Sequence, residues 1–360
     1  MEQQYDVLII GGGVLGVTLA YHLGKRRVRT LLVEKEMLPG MHASGKNAGM
    51  FRQLYRHPQL TKWALQSRQC WPEELRASCF RETGSLIVGR EAPACDVIAD
   101  PDPLFRSVTH DDYAAVFTET DGLLDSPNYV QQICRLTESR YVETAYRTEV
   151  VSLEHLGNHW LASSDTGASI RADYVVNAGG AWTGALSRTP LEVQPYARHL
   201  FVVEGWPKNF MPAPGIGYYW DEIGEWYMRA WSETARLVSI CDREAATPER
   251  FVPAPDIQER LAAKLLAAVP QLAPQLRVGR SWFCFRTYAA DQLPVWGYDE
   301  EQPSLFWLAA FGGLGMSVSY AATEDAARAL CGEAVDVSAD FQPQRVKVSR
   351  PPRRVHQPGY

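Results

Sequence analysis

The stretch from Tyr5 to Glu34 constrains this chain more than any other. Val7 to Ile10 is a run of apolar and β-branched residues that reads as a fully buried strand. It runs straight into Gly11-Gly12-Gly13-Val14-Leu15-Gly16, which opens a helix, and a second buried strand, Thr30 to Val33, ends at Glu34. This is a βαβ unit with G-x-G-x-x-G spacing. Gly11 permits a tight turn out of the strand, Gly13 lets backbone N–H groups approach a pyrophosphate, and Gly16 lets helix and sheet pack closely. Val14 and Leu15 belong to the first helical turn, whose unpaired donors and positive dipole end face the phosphates. Glu34, 18 residues beyond Gly16, is placed to accept hydrogen bonds from a ribose hydroxyl. A carboxylate there repels a 2′-phosphate, so FAD or NAD is favoured over NADP, and Lys35 follows it into the same site.

At 360 residues the chain exceeds one ordinary core, and about two domains are expected. A net charge of −6 and a pI near 5.8 give no global reason to expect nucleic acid. With a strand starting at Tyr5 there is no room for a signal peptide, and no run approaches 18 apolar residues. A cytoplasmic protein without a membrane span is therefore expected. Seven cysteines (Cys70, Cys79, Cys95, Cys134, Cys241, Cys284, Cys331) are scattered without a CxxC, which points to reduced thiols and to no metal site.

Beyond Glu34, Pro39 to Arg52 is dense in small and hydrogen-bonding residues: Gly45, Ala48 and Gly49 allow close approach, while Ser44 and Asn47 supply polar contacts. Leu60, Ala64, Ser67 and Trp71 share a helix face closed off near Pro72. Ser85 to Val88 reads as a strand, Asp100-Pro101-Asp102-Pro103 as a loop, and Ser126 to Ser139 as a helix with Ser126-Pro127 at its start. Thr148 to Ala172 breaks into a meander of three short strands feeding a buried strand, Tyr174 to Ala178. Four more strands follow, at Phe201–Val203, Gly217–Trp220, Trp226–Arg229 and Leu237–Ile240, and read as an antiparallel sheet with crowded aromatics. Asp256 and Glu259 read as a capping box for the next helix. Near the end, the strand Leu305 to Ala310 runs into Phe311-Gly312-Gly313-Leu314-Gly315-Met316-Ser317 and a small-residue helix reaching Leu330. Between Phe341 and Tyr360 there are five Lys or Arg and no acid, which reads as a surface-draped tail.

Four segments resemble those of the flavoprotein family that includes D-amino-acid oxidases, glycine oxidases, monomeric sarcosine oxidases and FAD-dependent D-amino-acid dehydrogenases. The pattern is nearest to the dehydrogenases. The Pro39–Arg52 segment is similar to the one that runs past the pyrophosphate toward the flavin, and Asn177-Ala178-Gly179-Gly180-Ala181-Trp182 is similar to the family's NAAGAW motif. Ser281 to Gly297 resembles its G-x-R-x-x-T-P-D-x-x-P-x-x-G segment, and the final glycine turn its C-terminal G-x-x-G-x-G motif.

The resemblance implies an α/β fold: a Rossmann-like FAD-binding domain with an interleaved α+β substrate domain built on an antiparallel sheet. The expected division is 1–80, 148–190 and 281–335 for FAD, 81–147 and 191–280 for substrate, and 336–360 as the basic tail. It further implies FAD held by Gly11, Gly13, Val14, Leu15, Gly16, Glu34, Lys35, Ser44, Asn47, Ala48, Gly49, Val151, Ala178, Gly179, Trp182, Gly312, Gly313, Leu314, Gly315 and Met316. The reaction implied is oxidation of a C–N bond in an amino acid or amine, by hydride transfer to the flavin. Arg286 stands where the family clamps the substrate carboxylate, and Arg198 matches a second basic position. Tyr55 and Tyr227 fall at pocket tyrosines, and Met50 stands where a dehydrogenase of the family carries a histidine. Cys284 occupies the position at which sarcosine oxidases attach their flavin, although a cysteine between aromatics is more often buried filler. The electron acceptor stays open between oxygen, a quinone and a protein. Rival readings are a 2-hydroxy-acid dehydrogenase, for which the same arginine serves, and a flavin-holding subunit of a larger complex.

Overall fold

The computed structural model describes residues 4–91, 104–186, 191–211, 215–302 and 304–347. The predicted first strand, Gln4–Ile10, lies at the centre of a sheet, parallel to Thr30–Glu34 on one side and to Ser169–Asn177 on the other. Leu305–Ala309 adds in parallel beyond Ser169–Asn177, and Val142–Tyr146 adds in parallel beyond Thr30–Glu34. Residues 7–10, Thr30–Glu34 and Leu305–Ala309 are buried on both faces, which explains their apolar runs, whereas the edge strand Val142–Tyr146 is largely unburied. On one face pack the helices Val14–Lys25, Pro58–Cys70 and Gly315–Leu330, enclosing Val17, Leu19, Trp63, Val318 and Ala322. The other face, with Leu8, Leu31, Val175 and Trp307, is covered by the meander through Trp160 and Ala162.

The strand Ser169–Asn177 serves two partners on one edge. Its first half pairs antiparallel with Trp160–Ser164, and its second half pairs parallel with Leu305–Ala309. What reads in sequence as two short strands is therefore one strand of nine residues.

A second sheet is built around Val193–Glu204 and Arg277–Ala289, which pair antiparallel almost end to end. Ala235–Ser239, Trp226–Ala230 and Tyr218–Asp221 continue it antiparallel. Ser85–Val88 then joins in parallel with Tyr218–Asp221, a departure from the all-antiparallel expectation. Val142–Tyr146 lies in the first sheet, as does the meander that follows it, and Ser281–Ala289 lies in the second.

Two caps also differ from expectation. Asp125, not Ser126, caps the helix Ser126–Leu136, accepting from Asn128 N at 3.1 Å. Asp256 stands at the N-cap of Ile257–Ala268 but makes no side-chain cap bond, so the capping box is not formed. The described part of the tail is docked, with Phe341 and Val346 buried, Arg345 on Asp291 (2.6 Å) and Lys347 on Asp299 (2.6 Å). Cys95, the Asp100–Pro103 loop and the tail beyond Lys347 lie outside the described residues. Among the described residues no helix is long and apolar enough to cross a membrane.

Candidate active site

The carboxyl ends of the parallel strands converge on one crevice, where an open α/β sheet places its ligands. Gly11, Glu34, Ala178 and Ala310 stand at those ends and line a long cavity. Gly11 has φ +107°, and a Cβ on it would meet the Ala178 carbonyl oxygen at 2.6 Å. A Cβ on Gly16 would lie 1.9 Å from the Gly11 carbonyl oxygen. Only glycine fits at either place. The helix Val14–Lys25 opens at Gly13 with no acid in its first turn, so its positive end is left for an anion. Ser44 Oγ accepts from Val14 N at 2.8 Å, which puts the hydroxyl at that helix end.

Glu34 accepts from Gly12 N (2.6 Å) and Glu36 N (2.9 Å), fixing its carboxylate at the strand end. Lys35 lies 3.5 Å from the centroid of a Trp182 ring, whose other neighbours are His42 and Phe285. Asn47 lines the cavity, yet its amide is spent on its own loop: it donates to Ala43 O and Ser44 O and accepts from Gly49 N and Ser126 Oγ. The loop is also held by the second sheet, through Arg229 Nε on Ala48 O and Trp282 Nε1 on Lys46 O (2.8 Å). Gly49, Ala48, Gly179, Gly312, Gly313, Gly315 and Met316 all reach the cavity. Leu314 does not: it forms the N-cap of Gly315–Leu330 and packs against the core, outside the cavity lining.

Val151 does not line the cavity: it is 55% exposed, and its neighbour Val150 points in. A register shift between Val150 and Ser152 sets which of the two faces inward, and spacing alone does not reveal it.

The opposite wall comes from the second sheet. Arg286 is buried and lines the cavity, with its Nη2 donating to Tyr227 Oη at 3.2 Å and no ion pair among the described residues. A Cβ on Gly313 would come within 3.0 Å of its guanidinium carbon, so the glycine turn and the arginine are in contact. Burial pushes the Tyr227 phenol up, against the pull of Arg286 and Arg198, so it keeps its proton. Arg198 and Tyr227 are buried one layer behind the lining, and Nε and Nη1 of Arg198 have no hydrogen-bond partner. Tyr55 and Met50 both line the cavity. Cys284 also lines it, and burial pushes its thiol up despite Arg286 and Arg198 nearby.

Among the lining residues that carried no individual role in the sequence reading are Arg52, Tyr218 and Trp220. Strand alternation turns Tyr218 and Trp220 inward while Tyr219 joins the core behind. Periodicity shows that they share a face, but the direction of that face depends on the sheet's partners. On the far side of Val193–Glu204, His199 Nδ1 and Asp242 are 2.6 Å apart, and Glu244, close by, is held by Arg260.

The model of the family described as FAD dependent oxidoreductase (DAO) matches residues 6–329. The chain belongs to this family. It is 26% identical over 253 residues to monomeric sarcosine oxidase of Arthrobacter sp. (strain TE1826), covering 62% of this chain and 64% of that one, hence under two thirds of that relative's length. It is 27% identical over 348 residues to glycine oxidase of Geobacillus kaustophilus (strain HTA426), covering 85% and 87% respectively. The crystal structure of glycine oxidase from Geobacillus kaustophilus superposes with a TM-score of 0.77 at 24% identity, over 95% of this chain and 99% of that one, showing a shared fold.

The family's cofactor is FAD, and the cleft fits it. The two glycines that admit no Cβ, the helix end without an acid in its first turn and the fixed Glu34 carboxylate shape a cradle that a pyrophosphate and a ribose would fit. A second helix end at Gly315, likewise without an acid in its first turn, closes the far side.

Proposed function

We propose that this protein is an FAD-dependent oxidoreductase that oxidises the C–N bond of an amino acid or secondary amine. The observation that carries this reading is Arg286: a buried guanidinium facing the cavity, with a neutral phenol as its hydrogen-bond partner and no counter-charge among the described residues. An uncompensated buried cation costs several kcal/mol, a cost that a bound carboxylate offsets through two parallel charge-assisted hydrogen bonds. The relatives named above, a sarcosine oxidase and a glycine oxidase, carry names of amino-acid substrates, which accords with a carboxylate at Arg286.

FAD bound in the cleft supplies the hydride acceptor for the substrate carbon. The chain's own residues do the positioning. Arg286 fixes the substrate by its carboxylate, and Tyr227 fixes Arg286. Tyr55, Met50, Tyr218 and Trp220 wall the space and exclude water. Among the described residues no histidine or carboxylate pairs with Arg286, and the amine is expected to react in its neutral form. Loss of hydride and of the N–H proton gives an imine, and water then converts it to a 2-oxo acid and ammonia or an amine.

The test is the visible spectrum of the purified protein before and after anaerobic addition of D- and L-amino acids, N-methyl amino acids and 2-hydroxy acids. Bleaching of the flavin bands by the amino compounds supports the reading. Bleaching by hydroxy acids alone replaces it, and a protein that takes up no FAD overturns it.

A further inference from the structure

Arg52 is a cavity-lining cation that the proposed reaction does not use. Its guanidinium lies between two rings, 4.4 Å from the centroid of Tyr55 and 4.6 Å from that of Trp220. Stacking of this kind occupies the faces of the plane and leaves the N–H edge for a partner. Its backbone N–H is tied to Ser317 Oγ at 3.1 Å, in the first turn of the helix that follows the glycine turn against Arg286.

The carboxylate nearest to Arg52 is Glu222, at 4.0 Å, and Arg52 is the weakest of its claimants. Arg90 holds Glu222 through Nη2 on one oxygen and Nε on the other, and Arg56 adds a bond of 3.2 Å. Three guanidinium groups thus share one carboxylate, and positive charge is left over on a wall that is otherwise aromatic. Arg90 also donates to Leu54 O, so it is committed to the fold, and Arg56 is exposed. Arg52 is the member that faces the cavity.

Arg52 and Arg286 stand on the same wall, joined through one aromatic pair. Trp220 and Tyr227 are directly opposed across neighbouring strands, with ring centroids 5.0 Å apart. Arg52 stacks on the first ring and Arg286 donates to the phenol of the second. One cation contacts each ring of that pair.

We propose that Arg52 forms a second carboxylate subsite, and that the substrate is an amino acid bearing two acidic groups: the α-carboxylate on Arg286 and a further carboxylate, on the side chain or the N-substituent, on Arg52. This inference rests on the reading of the cavity as an amino-acid site. A planar guanidinium edge suits a carboxylate better than it suits a neutral amide or hydroxyl.

The experiment has a binding arm and a turnover arm, both on the FAD-loaded enzyme. Calorimetric titration compares glutarate with pentanoate, which share chain length but differ in the second charge. Anaerobic flavin reduction compares glutamate with norvaline, in both configurations, and iminodiacetate with N-ethylglycine. The diacid-to-monoacid ratio is expected at about 10- to 100-fold in the wild type, the value of one charge-assisted hydrogen-bonding contact. In Arg52→Met it falls to near one, and Arg52→Lys retains an intermediate ratio. Arg52→Gln gives the same reading if methionine disturbs the fold.

A wild-type ratio near one, or a ratio that Arg52→Met and Arg52→Gln leave unchanged, overturns the proposal. Amines that are oxidised without preference for diacids sink the subsite and leave the amine-oxidation reading standing. Glutarate bound tightly through Arg52, with no amine reducing the flavin, does the reverse.

Discussion

The two walls of the cavity are built from different materials. The dinucleotide wall is made mostly of backbone: two glycines that touch carbonyl oxygens, helix ends without an acid in the first turn, and a carboxylate tied to N–H groups. The substrate wall is made of side chains from a separate sheet, Arg286, Tyr227 and Trp220, with Arg52 laid against them, which hold one another by stacking and a single hydrogen bond. A backbone site depends on spacing within a few residues. A side-chain site depends on register between strands far apart in the chain. The first therefore tolerates almost no substitution, and the second can be retuned residue by residue.

The largest expected effect tests the backbone wall. Gly16→Val places its Cβ about where the Gly11 carbonyl oxygen stands, 1.9 Å away, with no flexible atom to yield. The expected result is a protein with no bound flavin and a loss of stability above about 3 kcal/mol, read from the flavin-to-protein absorbance ratio and from thermal unfolding. A Gly16→Val protein that is yellow and stable would show that the cradle is not as tight as the glycines imply.

Arg286→Met tests the substrate wall and is expected to separate the two. Flavin content stays at the wild-type level while kcat/KM falls on the order of 10³-fold, corresponding to two charge-assisted hydrogen bonds. Loss of flavin along with activity would erase the distinction between the walls. Gly313→Ala lies where they meet, because its Cβ would sit 3.0 Å from the Arg286 guanidinium carbon. It should push the arginine aside and raise KM roughly 10-fold with little change in flavin content.

Tyr227→Phe removes the hydrogen-bond acceptor of Arg286 and should lower kcat/KM by about 5-fold, the scale of a single hydrogen bond. Because burial holds the phenol above its ordinary value, Tyr227 stays protonated as the pH rises to about 10 and its ionised form never accumulates below that. The pH profiles of wild type and Tyr227→Phe should then run parallel from about pH 7 to about 10. A break present in the wild type and absent from the variant would make the tyrosine an acid or base.

The contrast between the walls also accounts for what could be read from the sequence. Gly11, Gly13, Gly16, Glu34, Ala178 and Gly179 reach the cleft or shape it from the positions that local spacing gave them. The side chain of Val151 faces out and that of Val150 lines the cavity, with a register shift beside them that spacing does not reveal. Arg52 sat inside a segment already singled out, yet nothing local distinguishes it from a surface arginine. Its meaning comes from Trp220 and Glu222, about 170 residues away, and the pairing of Tyr218–Asp221 with Ser85–Val88 that brings them near is not encoded in either strand alone. The same holds for Val142–Tyr146, which joins the first sheet through Thr30–Glu34.

Cys284 lies where the two walls face each other, and its prediction is the mildest. A thioether to flavin requires a reactive thiol, and the thiolate is the reactive form. Here burial raises the thiol against the lowering influence of Arg286 and Arg198, and Leu200, Tyr227 and Leu237 pack in the same cluster. The group behaves as a small apolar side chain, so the flavin should be held without a covalent bond. Acid precipitation is expected to release it into the supernatant, and Cys284→Ala to cost only about 1 kcal/mol of stability for the small cavity it leaves. Flavin that stays with the precipitate in the wild type, and is freed in Cys284→Ala, would show that cofactor binding lowers the thiol and that the side-chain wall contributes a bond to the backbone one.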